Sequence, residues 1–155
     1  MKRRIFLKGS LATTTLMVAA SAGMLTPTRV LASAWPKAAF ESKTEAEALQ
    51  AFFGTSDVTQ SDQVSIKAPL QAENGAVVPI KVMTSLENVE GIAICAIKNP
   101  RPYTTSLRVP GGGGGLYSTR IKMGQTSPVN CYVKAGGKLY MASQEIKVTV
   151  GGCGG

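Results

Sequence analysis

Histidine is absent from the 155 residues, and cysteine occurs only three times. The first absence excludes Ser-His-Asp and Cys-His catalytic groups and any imidazole-ligated metal. Three thiols fall short of the four that an ordinary zinc or iron–sulfur site needs, so neither a metal nor a resident cofactor is expected. Acidic residues are missing from the first 34 positions, which hold Lys2, Arg3, Arg4, Lys8 and Arg29. The net charge of +8 is therefore concentrated at one end, leaving 12 basic against 9 acidic residues in the remainder. That mild excess is no footprint for nucleic acid. Long apolar runs are also lacking. The stretch 11–22 is diluted by Thr13, Thr14 and Thr15, and a membrane span needs roughly 20 apolar residues. No repeat is visible, and the length suits one ordinary domain.

What the first 34 residues do contain reads as an export signal. Lys2-Arg3-Arg4-Ile5-Phe6-Leu7-Lys8 matches the twin-arginine pattern, the apolar stretch follows, and Ala32-Ser33-Ala34 supplies a small-residue cleavage site before Trp35. The twin-arginine route carries folded cargo. With no cofactor ligand set in the mature chain, a partner exported together with it is the expectation.

The mature chain opens with a helical pattern over 36–53. Ser42-x-x-Glu45 and Thr44-x-x-Glu47 are both candidate capping boxes, Phe40 is a candidate staple, and Gly54 stands at a C-terminal stop. From residue 64 the period changes to two. Val64-Ser65-Ile66-Lys67-Ala68 and Val78-Pro79-Ile80-Lys81-Val82-Met83 alternate, with Pro79 marking an edge or a bulge. The segment 91–97 is apolar throughout, as a strand covered on both faces would be. Further strand patterns run over 104–109, 118–123, 129–135, 139–143 and 145–150, with hairpin signals at Asn74-Gly75 and at Gly136-Gly137. Short strands at this spacing predict a mainly β fold, an immunoglobulin-like antiparallel β-sandwich preceded by one helix. The glycine run 111–115 lacks the Lys-Ser/Thr continuation of a phosphate loop and reads as a flexible connection. Arg120 and Lys122 are candidates for steering an anionic substrate or a partner enzyme, but two charges on one strand read first as a solvated face.

The last five residues are Gly151, Gly152, Cys153, Gly154 and Gly155. Glycine has no side chain to pack and is the residue that loses most freedom on ordering. Four of them around one cysteine predict a flexible arm carrying an unshielded thiol, able to enter a narrow site on another protein. An ordinary thiol is only a few per cent thiolate at neutral pH, and nothing nearby activates it. Activation then belongs to whatever the arm visits, so Cys153 reads as a carrier's thiol and no catalytic residue is assigned. Cys95 and Cys131 fall at apolar positions and read as buried small hydrophobes, either free or bridged if their strands face each other across the sandwich. The expected organisation is a twin-arginine signal peptide at 1–34, a β-sandwich domain at 35–150 and the arm at 151–155.

The tail resembles that of the SoxY family, the sulfur carriers of periplasmic thiosulfate oxidation. The likeness extends to Ala72-Glu73-Asn74-Gly75-Ala76-Val77-Val78-Pro79-Ile80, Asn99-Pro100-Arg101-Pro102 and Leu116-Tyr117-Ser118-Thr119-Arg120-Ile121-Lys122-Met123. It continues through Lys134-Ala135-Gly136-Gly137-Lys138-Leu139-Tyr140 and Lys147-Val148-Thr149-Val150-Gly151-Gly152-Cys153-Gly154-Gly155. The resemblance implies a periplasmic heterodimer with SoxZ, which lacks its own signal and would travel with this chain. It implies that Cys153 accepts thiosulfate through the haem enzyme SoxXA and that the hydrolase SoxB releases sulfate. It further implies that SoxCD, where present, oxidises the remaining sulfane sulfur. Every cofactor of that cycle belongs to another protein, and the mature chain neither enters a membrane nor binds nucleic acid. Three alternatives stand beside it. A ubiquitin-like carrier would use the Gly155 carboxylate, but needs cytoplasmic ATP. An exported thiol-redox protein would normally show two neighbouring redox atoms. A pure interaction module would not use Cys153 at all.

Overall fold

The computed structural model describes residues 35–149. The signal-peptide expectation for 1–34 and the arm 151–155, with Cys153, fall outside the described residues. Two helices precede seven strands: α1 Lys37–Glu41, α2 Glu45–Phe53, β1 Val58–Gln60, β2 Val64–Lys67, β3 Gln71–Ala72, β4 Val78–Ala96, β5 Tyr103–Ile121, β6 Ser127–Ala135 and β7 Lys138–Val148. None of the described helices is long and apolar enough to cross a membrane.

The single expected helix is broken in two. Ser42 is extended, and its hydroxyl turns back to the Ala38 carbonyl at 2.7 Å. Thr44 then starts α2 with a complete capping box: its hydroxyl accepts from the Glu47 amide while Glu47 receives the Thr44 amide. Ser42-x-x-Glu45 forms no such box. Glu45 instead reaches the sheet, where Tyr132 donates its hydroxyl to Glu45 Oε1 and Asn130 Nδ2 donates to the same oxygen at 2.8 Å. Phe40 packs edge-on against the Tyr103 ring. Gly54 closes α2 in the left-handed conformation, φ 76°.

The strands form one curled sheet of order β1-β7-β6-β4-β2, with β5 also on β4 and β3 also on β7. The long strand β4 is its spine. Its first half pairs with β2 and its second with β6, while β5 follows it from end to end. The curl brings β2 against β7 across the interior, giving the two layers of a sandwich. The pairs are antiparallel except that short β1 and β3 run parallel to β7, elements too brief to leave a periodic trace in the sequence. Pro79 sits where β2 has already ended at Lys67↔Lys81, so β4 has one neighbour there, as a strand proline requires.

The segments expected as separate strands, 78–83 with 91–97 and 104–109 with 118–123, are continuous in β4 and β5 because two offset irregularities absorb the spare residues. Register passes from Thr84↔Gly115 to Val89↔Gly113 and then to Gly91↔Arg108, so excess chain lies first on β4 and then on β5. The glycine run is therefore paired strand rather than a flexible connection. Its left-handed residues Gly111, Gly112 and Gly115 let β5 follow the bulged partner. Asn74-Gly75 makes a turn, with the Ala76 amide on Asn74 Oδ1 at 2.9 Å, but leads from β3 into β4 and joins no hairpin pair. Gly136-Gly137 does turn the β6–β7 hairpin.

Two apolar clusters flank the sheet. Val78, Ile80, Val82, Ile92, Ile94, Ala96, Cys131 and Val133 lie in the interior between the layers. Ala93, Cys95, Tyr103, Tyr132 and Leu139 face outward beneath Ala48, Leu49, Phe52 and Phe53 of α2. The unbroken apolar stretch 91–97 is thus covered on both sides. Two cations secure the far end of α2: Arg108 Nη2 donates to the Phe52 carbonyl at 2.9 Å and Lys134 Nζ to the Phe53 carbonyl at 3.1 Å, satisfying groups a helix end leaves open. Arg108 also stacks on the Phe52 ring, 4.5 Å from its centre. Arg108→Ala is expected to lower unfolding free energy by about 1–2 kcal/mol, read as a lower midpoint in urea with an unchanged slope.

Candidate functional site

Cys153 and its four glycines lie beyond the last described residue, and the described residues show the end of β7 from which they follow, here called the root. The root is the end of β7, and three segments grip it. The Lys147 amide donates to the Leu70 carbonyl at 2.9 Å, and the Thr149 amide to the Ala72 carbonyl at 3.2 Å. Thr126 Oγ1 accepts from the Val148 amide at 2.9 Å. Gly75 lies under Val148: a Cβ there would stand 2.4 Å from the Met123 carbonyl oxygen and 2.8 Å from Val148 Cγ1. That close approach is what requires glycine in the Asn74-Gly75 turn, and the Met123 amide seals it with a 2.7 Å bond to the Gly75 carbonyl. The root is consequently a fixed point. Cys153 follows Thr149 by four residues, a tether that spans at most about 13–14 Å when extended.

The other two thiols are out of reach of chemistry. Cys95 and Cys131 are free and fully buried. The condition for a bridge, strands that face each other across the sandwich, is not met. They stand on adjacent strands β4 and β6, but Cys131 is opposite Ile94, while Cys95 is opposite Asn130. An offset of one residue puts them on opposite faces of the sheet, Cys131 in the interior and Cys95 under the helices. Their thiol groups therefore point apart, which a disulfide does not allow. Burial pushes the Cys131 thiol up to about 12. Cys95 is raised further, chiefly by burial and then by the charge of Glu45 and by Cys131. Both remain protonated and non-nucleophilic at neutral pH. Tyr132 is also raised, first by burial and then by the bond its hydroxyl makes to Glu45.

The described residues contain no group of three or more Cys, Asp or Glu side chains arranged for a metal ion. Arg120 is exposed on the outer face of β5 and Lys122 follows just past its end, as a solvated strand face would place them. Sequence reasoning missed two things here. One is the grip on the root, because β3 is only two residues long. The other is Lys67 and Lys81, which come directly opposite each other only through the β2–β4 register.

Gly75→Ala is expected to cost about 1–3 kcal/mol by overpacking, with faster amide exchange at Val148 and Thr149 than elsewhere in β7. Alkaline stability provides a second measure. The folded state keeps the Cys131 proton where the unfolded chain, with an ordinary thiol near 9.0, releases it. Stability therefore falls as pH rises from about 9 towards 12, by about 1.4 kcal/mol per pH unit for this thiol. Thermal unfolding followed between pH 8 and pH 10.5 should show the decline, and Cys131→Ala should make it shallower.

The sequence matches the family model described as sulfur oxidation protein SoxY over residues 49–153, a span that includes the root, the tail glycines before the thiol and Cys153 itself. Among solved structures, the chain is similar to the sulfur carrier protein SoxY from Chlorobium limicola f thiosulfatophilum, with 39% identity and a TM-score of 0.60 over 67% of this chain and 94% of that one. A far weaker likeness, 11% identity and a TM-score of 0.41 over 54% of this chain and 86% of the other, is to a superoxide reductase (neelaredoxin) from Archaeoglobus fulgidus. No curated protein sequence matches. A sandwich whose last strand is anchored at its exit, with a family match running out to the tail cysteine, identifies this chain as a member of the SoxY family of sulfur oxidation proteins.

Proposed function

We propose that this chain carries thiosulfate-derived intermediates covalently on Cys153 and presents them to separate enzymes, without catalysing a step itself. The observation that carries the reading is the partition of its thiols. Cys95 and Cys131 are buried with raised pKa values, on a domain whose family match extends to Cys153. Loading joins the Cys153 sulfur to the sulfane sulfur of thiosulfate. The thiol loses its proton and the new S–S bond releases two electrons, which the haem enzyme SoxXA takes up. Water then cleaves the terminal S–SO₃ bond on SoxB, giving sulfate and leaving a persulfide on Cys153. Further oxidation of that sulfur falls to SoxCD where it is present. Residues 1–34 act as a twin-arginine signal cleaved before Trp35, delivering the chain to the periplasm as a heterodimer with SoxZ.

The division of labour follows from acidity. A thiol of ordinary pKa on a glycine arm is a weak nucleophile in water, so it reacts at speed only inside a site that deprotonates it. The fixed root keeps the arm's origin constant while Gly151, Gly152, Gly154 and Gly155 leave its neighbourhood free of bulk.

Intact-mass analysis of protein from thiosulfate-grown cells should find sulfur or thiosulfate adducts localised to Cys153. Cys153→Ser should abolish both the adducts and cellular thiosulfate consumption, whereas Cys95→Ala and Cys131→Ala should retain them. Unchanged consumption by Cys153→Ser cells would leave an interaction module as the better reading, and turnover by the isolated chain would point to a thiol-redox enzyme.

A further inference from the structure

The outward face of the sheet is divided. Over the second half of β4 it is roofed by α1 and α2. Over the first half, the outward positions are exposed, and they form ordered rows across β2, β4 and β5. One row is Ser65–Met83–Leu116, the next is Lys67–Lys81–Ser118, and the last is Pro79–Arg120. Lys67 and Lys81 are thus directly opposite, where like charges destabilise a sheet. No acid occurs in β2, in 78–86 of β4 or in 113–121 of β5. The ion pairs found among the described residues, Lys37–Glu41 and Lys134–Glu90, lie elsewhere. Between the two lysines and Pro69 runs a shallow cleft of about 290 Å³.

This face borders the arm's root. The segment that leaves Lys67 gives its Leu70 carbonyl to the Lys147 amide and its Ala68 carbonyl to Gln144 Nε2. On the other strands, the Pro79–Arg120 row is followed by Val78–Ile121, beside the Met123–Gly75 bond that underlies Val148. Leu70, 76% exposed, stands on the border itself. On the carrier reading, a protein that takes the tail into its active site comes close to this face, because the four residues from Thr149 to Cys153 span at most about 13–14 Å.

We propose that the face bearing Lys67, Lys81 and Arg120, with Met83 and Leu116 one row beyond, is the docking surface for the enzymes that act on the arm. The complementary surface is a carboxylate-rich rim around the entrance to their active sites. The inference rests on the carrier reading of Cys153. Charge chooses this occupant over a permanent subunit. The centre of a stable interface is depleted of charge, whereas a cluster of one sign steers brief encounters and sets their rate. The exposed Met83–Leu116 pair supplies the apolar contact that gives such an encounter a moment's residence.

The test uses the chain in complex with SoxZ, loaded with thiosulfate by SoxXA from the same organism and followed by intact mass. The charge-reversed K67E/K81E/R120E variant is expected to load at least tenfold more slowly at low ionic strength, through KM rather than kcat, and with a flattened salt dependence. The neutral K67Q/K81Q/R120Q variant should show the same change to a smaller extent and covers the case in which charge reversal disturbs folding. Alkylation of Cys153 by iodoacetamide, which needs no docking, should proceed at the unaltered rate in both. Loading at the unaltered rate and salt dependence would overturn the inference. So would loss of SoxZ from either variant, which would make the face a permanent subunit interface. Failure of the unmodified complex to load at all would instead bring down the carrier reading, and this surface with it.

Discussion

The alternation of side chains along β4 is the constraint from which the rest of the molecule follows. Period two sends Val78, Ile80 and Val82 inward along one half and Ile92, Ile94 and Ala96 inward along the other. The bulged stretch between Thr84 and Gly91 keeps both halves aimed at the same interior while changing the neighbour on one side from β2 to β6. What points outward then differs by half. Ala93 and Cys95 demand a cover and receive the α2 face of Ala48, Leu49 and Phe52, whereas Lys81 and Met83 are left bare. The same alternation separates the thiols. A one-residue offset between β4 and β6 is enough to put Cys95 and Cys131 on opposite faces, each too desolvated to ionise. On the proposed role of Cys153, the other two sulfurs have to be silent. Here silence comes from burial rather than from omission of the residues.

Burial also explains why the helices are where they are. The α2 N-terminus is tied to β6 through Glu45, Tyr132 and Asn130, and its C-terminus to β5 and β6 through Arg108 and Lys134. Charge-assisted bonds at both ends of a nine-residue helix compensate for a length at which isolated helices do not persist in water. Gly91 completes the fit. A Cβ there would stand 3.3 Å from the Phe53 ring and 3.2 Å from the Leu107 carbonyl oxygen, so the bare position lets the aromatic pair lie close on the sheet.

Much of this was legible in the residues. The Thr44–Glu47 capping box, the Gly54 stop and the Gly136-Gly137 turn are local signals, set by bonds within four or five positions, and the structure has all of them together with the alternating runs. The two-sided covering of 91–97 followed from its unbroken apolar character. What escaped was decided by partners distant in the chain. Glu45 left its expected cap for Tyr132, 87 positions away. The glycines 111–115 look like a linker to any local criterion, and became strand because β4 bulges opposite them. The relation of the two interior cysteines depended on a register offset that no spacing reveals. At the candidate site the tail cysteine was conspicuous by composition, while the clamp at its root, made by a two-residue strand and by Thr126, left no periodic mark.

Charge at the bare half of β4 deserves to be weighed against stability. Lys67 and Lys81 are directly opposite in an antiparallel pair, an arrangement in which like charges destabilise a sheet. Folding gains nothing from that arrangement: Ser65 and Ser118, in the adjoining positions, show that neutral side chains fit the same face. Acids are not scarce on the domain as a whole, with Glu41, Glu45 and Glu47 on the helical side. The helical half mixes them with Lys37, Lys43, Arg108 and Lys134, whereas the charged residues of β2, 78–86 and 113–121 are Lys67, Lys81 and Arg120, all of one sign. On the proposed reading, recognition placed on this rigid sheet beside the end of β7 leaves the tail itself chemically plain, with specificity residing in the charged face and not in the five terminal residues.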